Sequence, residues 1–143
     1  MIKQISVFVE NKKGRLSAMT KVLSDNNIDL IALSIADTTN FGILRCIVDK
    51  IQKALEVLSD AGFAANTTDV IAVKVEDKPG GLTKVLDILT AADVSVEYLY
   101  SFVKKTEDGA LIIFRVDNTK KTIDVFTENN ITMLTEEEIG ILS

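Results

Sequence analysis

The chain of 143 residues contains no histidine, no tryptophan, one proline and one cysteine. Without histidine, Ser-His-Asp and Cys-His catalysis are excluded, and so is a zinc site that uses histidine. The single cysteine, Cys46, cannot form an internal disulfide, so the sequence gives no sign of an oxidising compartment. Because Cys46 alternates within an apolar strand pattern, we expect a small buried side chain rather than a redox switch.

Positive charge and long apolar runs are also scarce. Sixteen Lys and Arg residues against 21 Asp and Glu residues give a formal net charge of −5. This acidity argues against a nucleic-acid partner, because phosphate binding needs clustered positive charge. Charged residues between Lys3 and Lys13 interrupt the first apolar segment, and no uncharged apolar stretch reaches the roughly 18 residues of a membrane span. We therefore expect a cytoplasmic protein with no membrane partner.

Motifs for catalysis are missing as well. No pair of carboxylates stands in a recognisable acid–base context, and no glycine-lysine loop of the Walker type is present. We therefore expect that the protein is not an enzyme and that it uses no cofactor and no metal.

The sequence does contain an internal repeat. Shifting the chain against itself by 66 residues lays Gln4–Leu33 over Val70–Leu99, and nine of the thirty aligned positions are identical. Further along the offset becomes 68, so that Val48-Asp49 meets Val116-Asp117. A hairpin loop tolerates such a two-residue insertion. The sequence therefore predicts two domains built as copies of one unit, residues 1–68 and residues 69–143.

Each copy shows the same order of predicted elements. Alternating apolar residues predict a first strand, and a glycine loop leads from it into a helix with apolar residues at i, i+3, i+4 and i+7. In the first copy, Asn26-Asn27 is expected to end that helix. Two strands follow, with turns at Asn40-Phe41-Gly42 and Glu107-Asp108-Gly109, and then a second helix and a short strand. The order βαββαβ, twice, predicts an α+β fold of two ferredoxin-like units, each with its helices on one face of an antiparallel sheet.

This fold serves several functions, so the loops and strands must discriminate between them. An RNA-recognition motif stacks bases on aromatic residues of its first and third strands, but the third strands here, Ile43–Val48 and Leu111–Val116, lack that aromatic-glycine pattern. A metallochaperone would carry paired cysteines in its first loop, and neither Asn11–Arg15 nor Asp77–Gly81 contains any. Both alternatives are therefore weak.

The glycine loops resemble those of ACT domains, the small amino-acid-sensing modules of metabolic enzymes. Glu76–Leu82, with the sequence EDKPGGL, resembles the D-x-P-G-x-L signature of that family. Asn11–Leu16 is a weaker version, with Lys13 in place of the proline. The resemblance covers essentially the whole chain as two tandem ACT domains with no catalytic domain attached.

The loops also have chemistry that suits an amino-acid ligand. Gly14 and Gly80 each precede the first apolar position of a helix, where backbone N–H groups can bind a carboxylate. Asn11 and Asp77 stand three residues earlier and can accept hydrogen bonds from an ammonium group. Pro79 stiffens the second loop. The alternative is that these residues only form a strand-to-helix turn and cap the helix.

The resemblance implies where the ligand binds. In ACT pairs the second strands usually lie edge to edge in one eight-stranded antiparallel sheet, and each pocket combines the glycine loop of one copy with the second strand of the other. Arg15 either strengthens carboxylate binding or points into water. The expected ligand-binding residues are Asn11, Lys13, Gly14, Arg15, Leu16, Leu33, Ser34, Ile35, Asp77, Pro79, Gly80, Gly81, Leu82, Leu99, Tyr100 and Ser101.

The sequence therefore favours a non-enzymatic regulatory module that binds a small amino acid and signals to a metabolic enzyme or regulator. Two other functions stay open: a small-molecule enzyme that uses the pocket between the repeats, and a structural adaptor with vestigial pockets. Because both alternating sets of residues in the third strands are apolar, we also expect a homodimer through the open sheet faces. Local cover by the C-terminal tail is the alternative to that dimer.

Overall fold

The computed structural model describes residues 1–37, 40–103 and 109–142, and the statements below concern those residues. The helices are α1 (Arg15–Asp25), α2 (Ile51–Asp60), α3 (Gly81–Ala91) and α4 (Thr119–Glu128). The strands are β1 (Ile2–Glu10), β2 (Leu30–Asp37), β3 (Phe41–Val48), β4 (Ala64–Val75), β5 (Val96–Ser101), β6 (Ala110–Val116) and β7 (Met133–Leu134). The predicted α+β class and the order βαββαβ in each copy are confirmed.

Strand β4 differs from the prediction. The last strand of the first copy and the first strand of the second copy form one strand of twelve residues. The described residues therefore contain seven strands where the sequence predicts eight. Thr67, Thr68 and Val70, at the junction of the two copies, are β-branched and favour an extended backbone.

The chain divides into two compact units with a boundary between Thr68 and Asp69. The first unit comprises Lys3–Thr68 and Ile139–Ser143, and the second comprises Met1–Ile2 and Asp69–Glu138. The terminal residues thus group differently from the predicted ranges 1–68 and 69–143, which stay a prediction.

In the first unit, β3 lies between β1 and β2 and pairs antiparallel with both, for example Val7 with Leu44 and Ile35 with Leu44. The turn predicted at Asn40-Phe41-Gly42 ends earlier, since Phe41 and Gly42 already belong to β3. Alternate residues of β1 and β3 point toward α1 and α2 and form a core. Its members include Ile5, Val7, Val9, Met19, Leu23, Leu44, Cys46, Ala54 and Leu58.

The second unit repeats this arrangement. Strand β6 lies between β4 and β5, and β7 pairs with β4. The core contains Phe114 of β6 and Phe126 of α4, whose rings meet edge to face with centroids 6.2 Å apart. Two residues of the turn predicted at Glu107-Asp108-Gly109 lie outside the described residues.

The predicted end of the first helix is confirmed. Asn27 has a left-handed φ of 56°, and the next N–H, of Ile28, donates back to the carbonyl of Leu23. Asp93 does the same in the second unit, with a φ of 59° and a bond from Val94 N–H to Leu89. Asn and Asp tolerate this conformation better than other residues with a side chain.

Each third strand has a fully buried residue on the face that its helices leave open. Ile47 and Ile113 lie on the faces opposite the helix-covered cores, and both are 0% exposed. In the tail, Ile139 and Ile141 are buried, and the Leu142 N–H donates to the Asp49 carbonyl at 2.6 Å. The apolar pattern of the third strands therefore does not by itself require a second chain.

Candidate functional site

The two glycine loops make the same backbone turn. Gly14 and Gly80 are the N-cap residues of α1 and α3, with left-handed φ values of 86° and 87°. In each loop the next N–H closes the turn, from Arg15 to the Lys12 carbonyl at 3.2 Å and from Gly81 to the Lys78 carbonyl at 3.0 Å. Only glycine adopts such angles without strain, so the sequence position of each Gly follows from the turn.

The starts of α1 and α3 have no side-chain cap. Glycine offers no side-chain acceptor, whereas Asn118 at the start of α4 accepts a hydrogen bond from the Lys121 N–H at 3.1 Å. The first-turn N–H groups of a helix have no partner within the helix, and they carry its positive dipole end. The glycine loops are therefore suited to receive a carboxylate from a ligand.

Each loop also carries an ion pair that the sequence analysis missed. Lys12 lies 3.2 Å from Glu10, and Lys78 lies 2.7 Å from Glu76, with all four side chains exposed. The hydrogen bond from Lys78 and its charge hold the pKa of the Glu76 carboxylate below its ordinary value, and the same contact raises the pKa of Lys78. The signal was present, since both loops read Glu-x-Lys.

A small pocket adjoins the first loop. It has a volume of about 110 Å³ and is lined by Val9, Glu10, Asn11, Lys12, Leu16, Ile35, Asp37, Gly42 and Leu44. Of the predicted site residues it brings together Asn11, Leu16 and Ile35. Leu33 and Ser34 belong to β2, as Ile35 does, but they do not line the pocket. Lys13 and Gly14, in the exposed loop, do not line it either. The pairing of each loop with the second strand of the other copy stays a prediction.

Arg15 takes a place that the sequence did not suggest. Its guanidinium carbon lies 4.6 Å from the centroid of the Phe63 ring, which is buried. Such stacking is favourable for a guanidinium group because the group is planar and weakly hydrated. Phe63 follows α2, so no local pattern around residue 15 indicates this contact.

In the second loop, the glycine that leaves no room for a side chain is Gly81 rather than Gly80. A Cβ atom at Gly81 would overlap the carbonyl oxygen of Glu76, whereas a Cβ at Gly80 would meet open space. Gly81 is buried, while Asp77, Pro79 and Gly80 are exposed. Leu82 packs against the core of the second unit.

The predicted residues of β5 differ in exposure. Tyr100 is buried, and its ring stacks on that of Tyr98 with centroids 6.4 Å apart. Leu99 packs against the core of the second unit, and Ser101 is exposed and pairs with Ile112. Within the second unit, this strand segment is therefore mainly a packing element.

Cys46 is a core residue, as predicted. Its side chain is 0% exposed, and burial raises the pKa of its thiol to about 12. Since the thiolate is the reactive form, this cysteine is inert in the folded protein.

Within residues 1–37, 40–103 and 109–142, no cluster of three or more Cys, Asp or Glu residues is arranged to hold a metal ion. None of the helices in the described part of the chain has the length and apolar character needed to cross a membrane.

Two tandem ferredoxin-like units with left-handed glycine loops define the class of fold. The chain belongs to the family described as the ACT domain pair, whose sequence profile matches residues 1–142. The resemblance of the glycine loops to ACT domains is thereby confirmed.

Solved structures agree with this assignment. A Bacteroides thetaiotaomicron protein is 42% identical, with a TM-score of 0.91 over 99% of this chain and 96% of that one. The regulatory subunit of aspartate kinase from Thermus thermophilus is 14% identical, with a TM-score of 0.62 over 88% of this chain and 91% of that one. The corresponding Thermus flavus subunit is 14% identical, with a TM-score of 0.61 over 88% and 90%. At that identity the two Thermus structures show a shared fold. Comparison with curated protein sequences finds no match.

Proposed function

We propose that this ACT domain pair is a non-enzymatic, cytoplasmic regulatory module that binds a small amino acid at its glycine loops. The observation that carries the proposal is the pair of helix starts at Gly14 and Gly80, where left-handed glycines leave the first-turn N–H groups without a side-chain cap. The ligand carboxylate is received there, because backbone N–H groups and the helix dipole both favour an anion.

The opposite end of the ligand is matched by the loop residues three positions earlier. Asn11 lines the pocket of about 110 Å³ in the first unit, together with Glu10 and apolar Leu16 and Ile35. A carboxamide or carboxylate in this place accepts from an ammonium group, and the apolar wall suits a small side chain. In the second loop Asp77 takes the place of Asn11.

The proposal extends to signalling. The Thermus neighbours are regulatory subunits of aspartate kinase, and they share this fold over most of their length. We propose that occupancy of the loops in this chain is likewise passed to a metabolic enzyme or regulator. The chain carries no acid–base or nucleophilic motif that would favour turnover of the ligand.

Isothermal titration of the full chain against the twenty amino acids tests the proposal. At least one is expected to bind, and Gly80→Val is expected to abolish binding at the second loop because the side chain strains the turn that presents the N–H groups. Gly14→Val is the matched variant for the first loop. If either variant loses one binding site per chain, that site is assigned to the loop that carries the substitution. Asp77→Ala is expected to weaken binding by roughly 1–3 kcal/mol through loss of a charged hydrogen-bond partner.

Two outcomes would contradict the proposal. Absence of binding by all twenty amino acids would favour a structural adaptor, and chemical conversion of a bound amino acid would favour an enzyme. Binding by Gly80→Val and Gly14→Val as tight as that of the wild type would show that the glycine loops are only turns.

A homodimer is also part of the proposal. Its support is an exposed apolar area at one end of the first unit, where Phe8 is 44% and Phe41 is 49% exposed. The repeat itself supplies a variant, because Lys74 stands in the second copy where Phe8 stands in the first. Light scattering at tens of micromolar is expected to show a dimer that Phe8→Lys weakens, and a monomeric wild-type chain would refute it.

A further inference from the structure

A cleft in the second unit lies beside the glycine loop and is largely separate from the proposed amino-acid site. It has a volume of about 250 Å³ and is lined by Lys74, Val75, Glu76, Gly81, Lys84, Val85, Asn130, Ile131 and Thr132. These residues come from the end of β4, the start of α3 and the loop after α4. The cleft shares only Gly81 with the residues expected to bind an amino acid.

The first unit fills the equivalent place with one of its own side chains. The offset of 66 aligns Arg15 with Gly81, and the offset of 68 aligns Phe63 with Ile131. Arg15 places its guanidinium 4.6 Å from the centroid of Phe63. Its Nε is buried, and among the described residues it has no hydrogen-bond partner. The second unit has no side chain at this place, because residue 81 is glycine.

The chemistry of the cleft suits the same group arriving from solution. Val85 is buried and Ile131 half-buried, and both offer an apolar surface on which a guanidinium plane can lie. The carboxylate of Glu76, which is paired with Lys78 at 2.7 Å, belongs to the lining, as do Asn130 and Thr132. All three side chains offer oxygen acceptors, which is what the five N–H donors of a guanidinium group require. Lys74 and Lys84 also belong to the lining and carry the same positive charge as a guanidinium group, so the acceptors must outweigh their repulsion.

We propose that the cleft of the second unit binds the guanidinium group of a small molecule, in the place that Arg15 occupies within the first unit. The class of ligand is a compound with a free guanidinium group on a short aliphatic chain. The proposal does not depend on amino-acid binding at the glycine loops, and methylguanidinium, which lacks a carboxylate, tests the cleft alone.

The experiment is a titration of the ¹⁵N-labelled full chain with methylguanidinium chloride, with sodium chloride and sodium acetate as references. Saturable shifts are expected at the amides of Gly81, Asn130 and Thr132. Glu76→Gln is expected to weaken binding by about two- to fivefold and Lys84→Gln to strengthen it by a similar factor, the range of exposed charge pairs. Glu10→Gln, at the equivalent position of the first unit, is the matched control and is expected to leave the affinity unchanged.

Arg15→Ala gives a second, independent test. Removal of the guanidinium opens the first cleft, so the number of methylguanidinium sites is expected to rise from one to two and part of the lost thermal stability to be regained on binding. If this variant does not fold, the affinities of Glu76→Gln and Lys84→Gln decide the question. The proposal is overturned if methylguanidinium gives no saturable shifts in the wild type, or if acetate shifts the same amides and Lys84→Gln abolishes that effect.

Discussion

The two glycine loops of this protein share a backbone turn and differ in the residue that follows it. Both loops place a left-handed glycine at the helix start and a Glu-x-Lys ion pair before it. Arg15 follows Gly14 and reaches across to Phe63, whereas Gly81 follows Gly80 and lies where any Cβ would overlap the Glu76 carbonyl. A duplicated motif can therefore keep its turn while the space around it diverges.

At the ends of the third strands, by contrast, both copies keep the same residue and the same hydrogen bonds. The Asp49 carboxylate accepts from the Asp29 N–H at 2.9 Å, and the Asp117 carboxylate accepts from the Ser95 N–H at 3.1 Å. In both units a backbone bond returns from the aspartate N–H, at 3.2 Å and 3.1 Å. These aligned aspartates hold the same connection in both copies, so their retention has a structural reason.

The largest expected effect comes from the two cores. Leu58 and Phe126 occupy equivalent positions and are both 0% exposed. We expect Leu58→Ala to lower the free energy of unfolding by about 2–5 kcal/mol and Phe126→Ala by about 3–5 kcal/mol, because each leaves a cavity. Calorimetry measures both losses and shows whether one transition or two respond. A loss well below about 1 kcal/mol for Phe126→Ala would contradict the packing described for the second unit.

A second test separates close approach from backbone strain in the glycine loops. We expect Gly14→Ala and Gly80→Ala to be destabilising by a similar amount, roughly 1–2 kcal/mol, since both have the same left-handed φ and open space around the Cβ. Gly81→Ala is expected to cost more, about 1–3 kcal/mol, because the loop must move away from the Glu76 carbonyl. Chemical denaturation of the three variants compares them, and equal losses at positions 80 and 81 would refute the distinction.

The aligned aspartates should give smaller and matched effects. Asp49→Ala and Asp117→Ala are each expected to lower the stability by about 0.5–1.5 kcal/mol through loss of one acceptor for a backbone N–H. Asp49→Asn and Asp117→Asn keep an acceptor oxygen and are the controls. If only one of the two alanine variants loses stability, the units do not share this connection in solution.

The smallest effect is expected at the ion pair of the second loop, and the pKa of the Glu76 carboxylate measures it. Lys78→Gln is expected to raise the pKa of the Glu76 carboxylate toward its ordinary value, because the hydrogen bond and charge that lower it are removed. Since the folded-state pKa is the lower one, the wild-type contribution is present at neutral pH and is lost as the pH falls through that pKa. A titration of the Glu76 carboxylate by NMR measures the shift, and an unchanged pKa would show that Lys78 does not pair with it.

Much of the fold could be predicted because its signals are local. Alternation of apolar residues identified β1 and the strands that pair with it, and helical spacing identified the apolar faces of α1 and α3. Asn27 and the two loop glycines marked left-handed positions, because few residues adopt that backbone conformation without strain. The ion pairs of the loops escaped notice although Glu-x-Lys occurs at both, since an exposed charged pair looks like any solvated surface.

By itself the sequence determined the duplicated βαββαβ order, the glycine turns, the end of α1 and the burial of Cys46. These features depend on periodicity and on the backbone preferences of single residues. Only the tertiary structure decided that Arg15 lies on Phe63, that Gly81 faces the Glu76 carbonyl, that Ile35 shares a pocket with Asn11, and that Ile139–Leu142 groups with the first unit. Each of these features depends on the exact positions of residues that come together only in the folded chain. Packing geometry sets those positions, and no local pattern of residues encodes it.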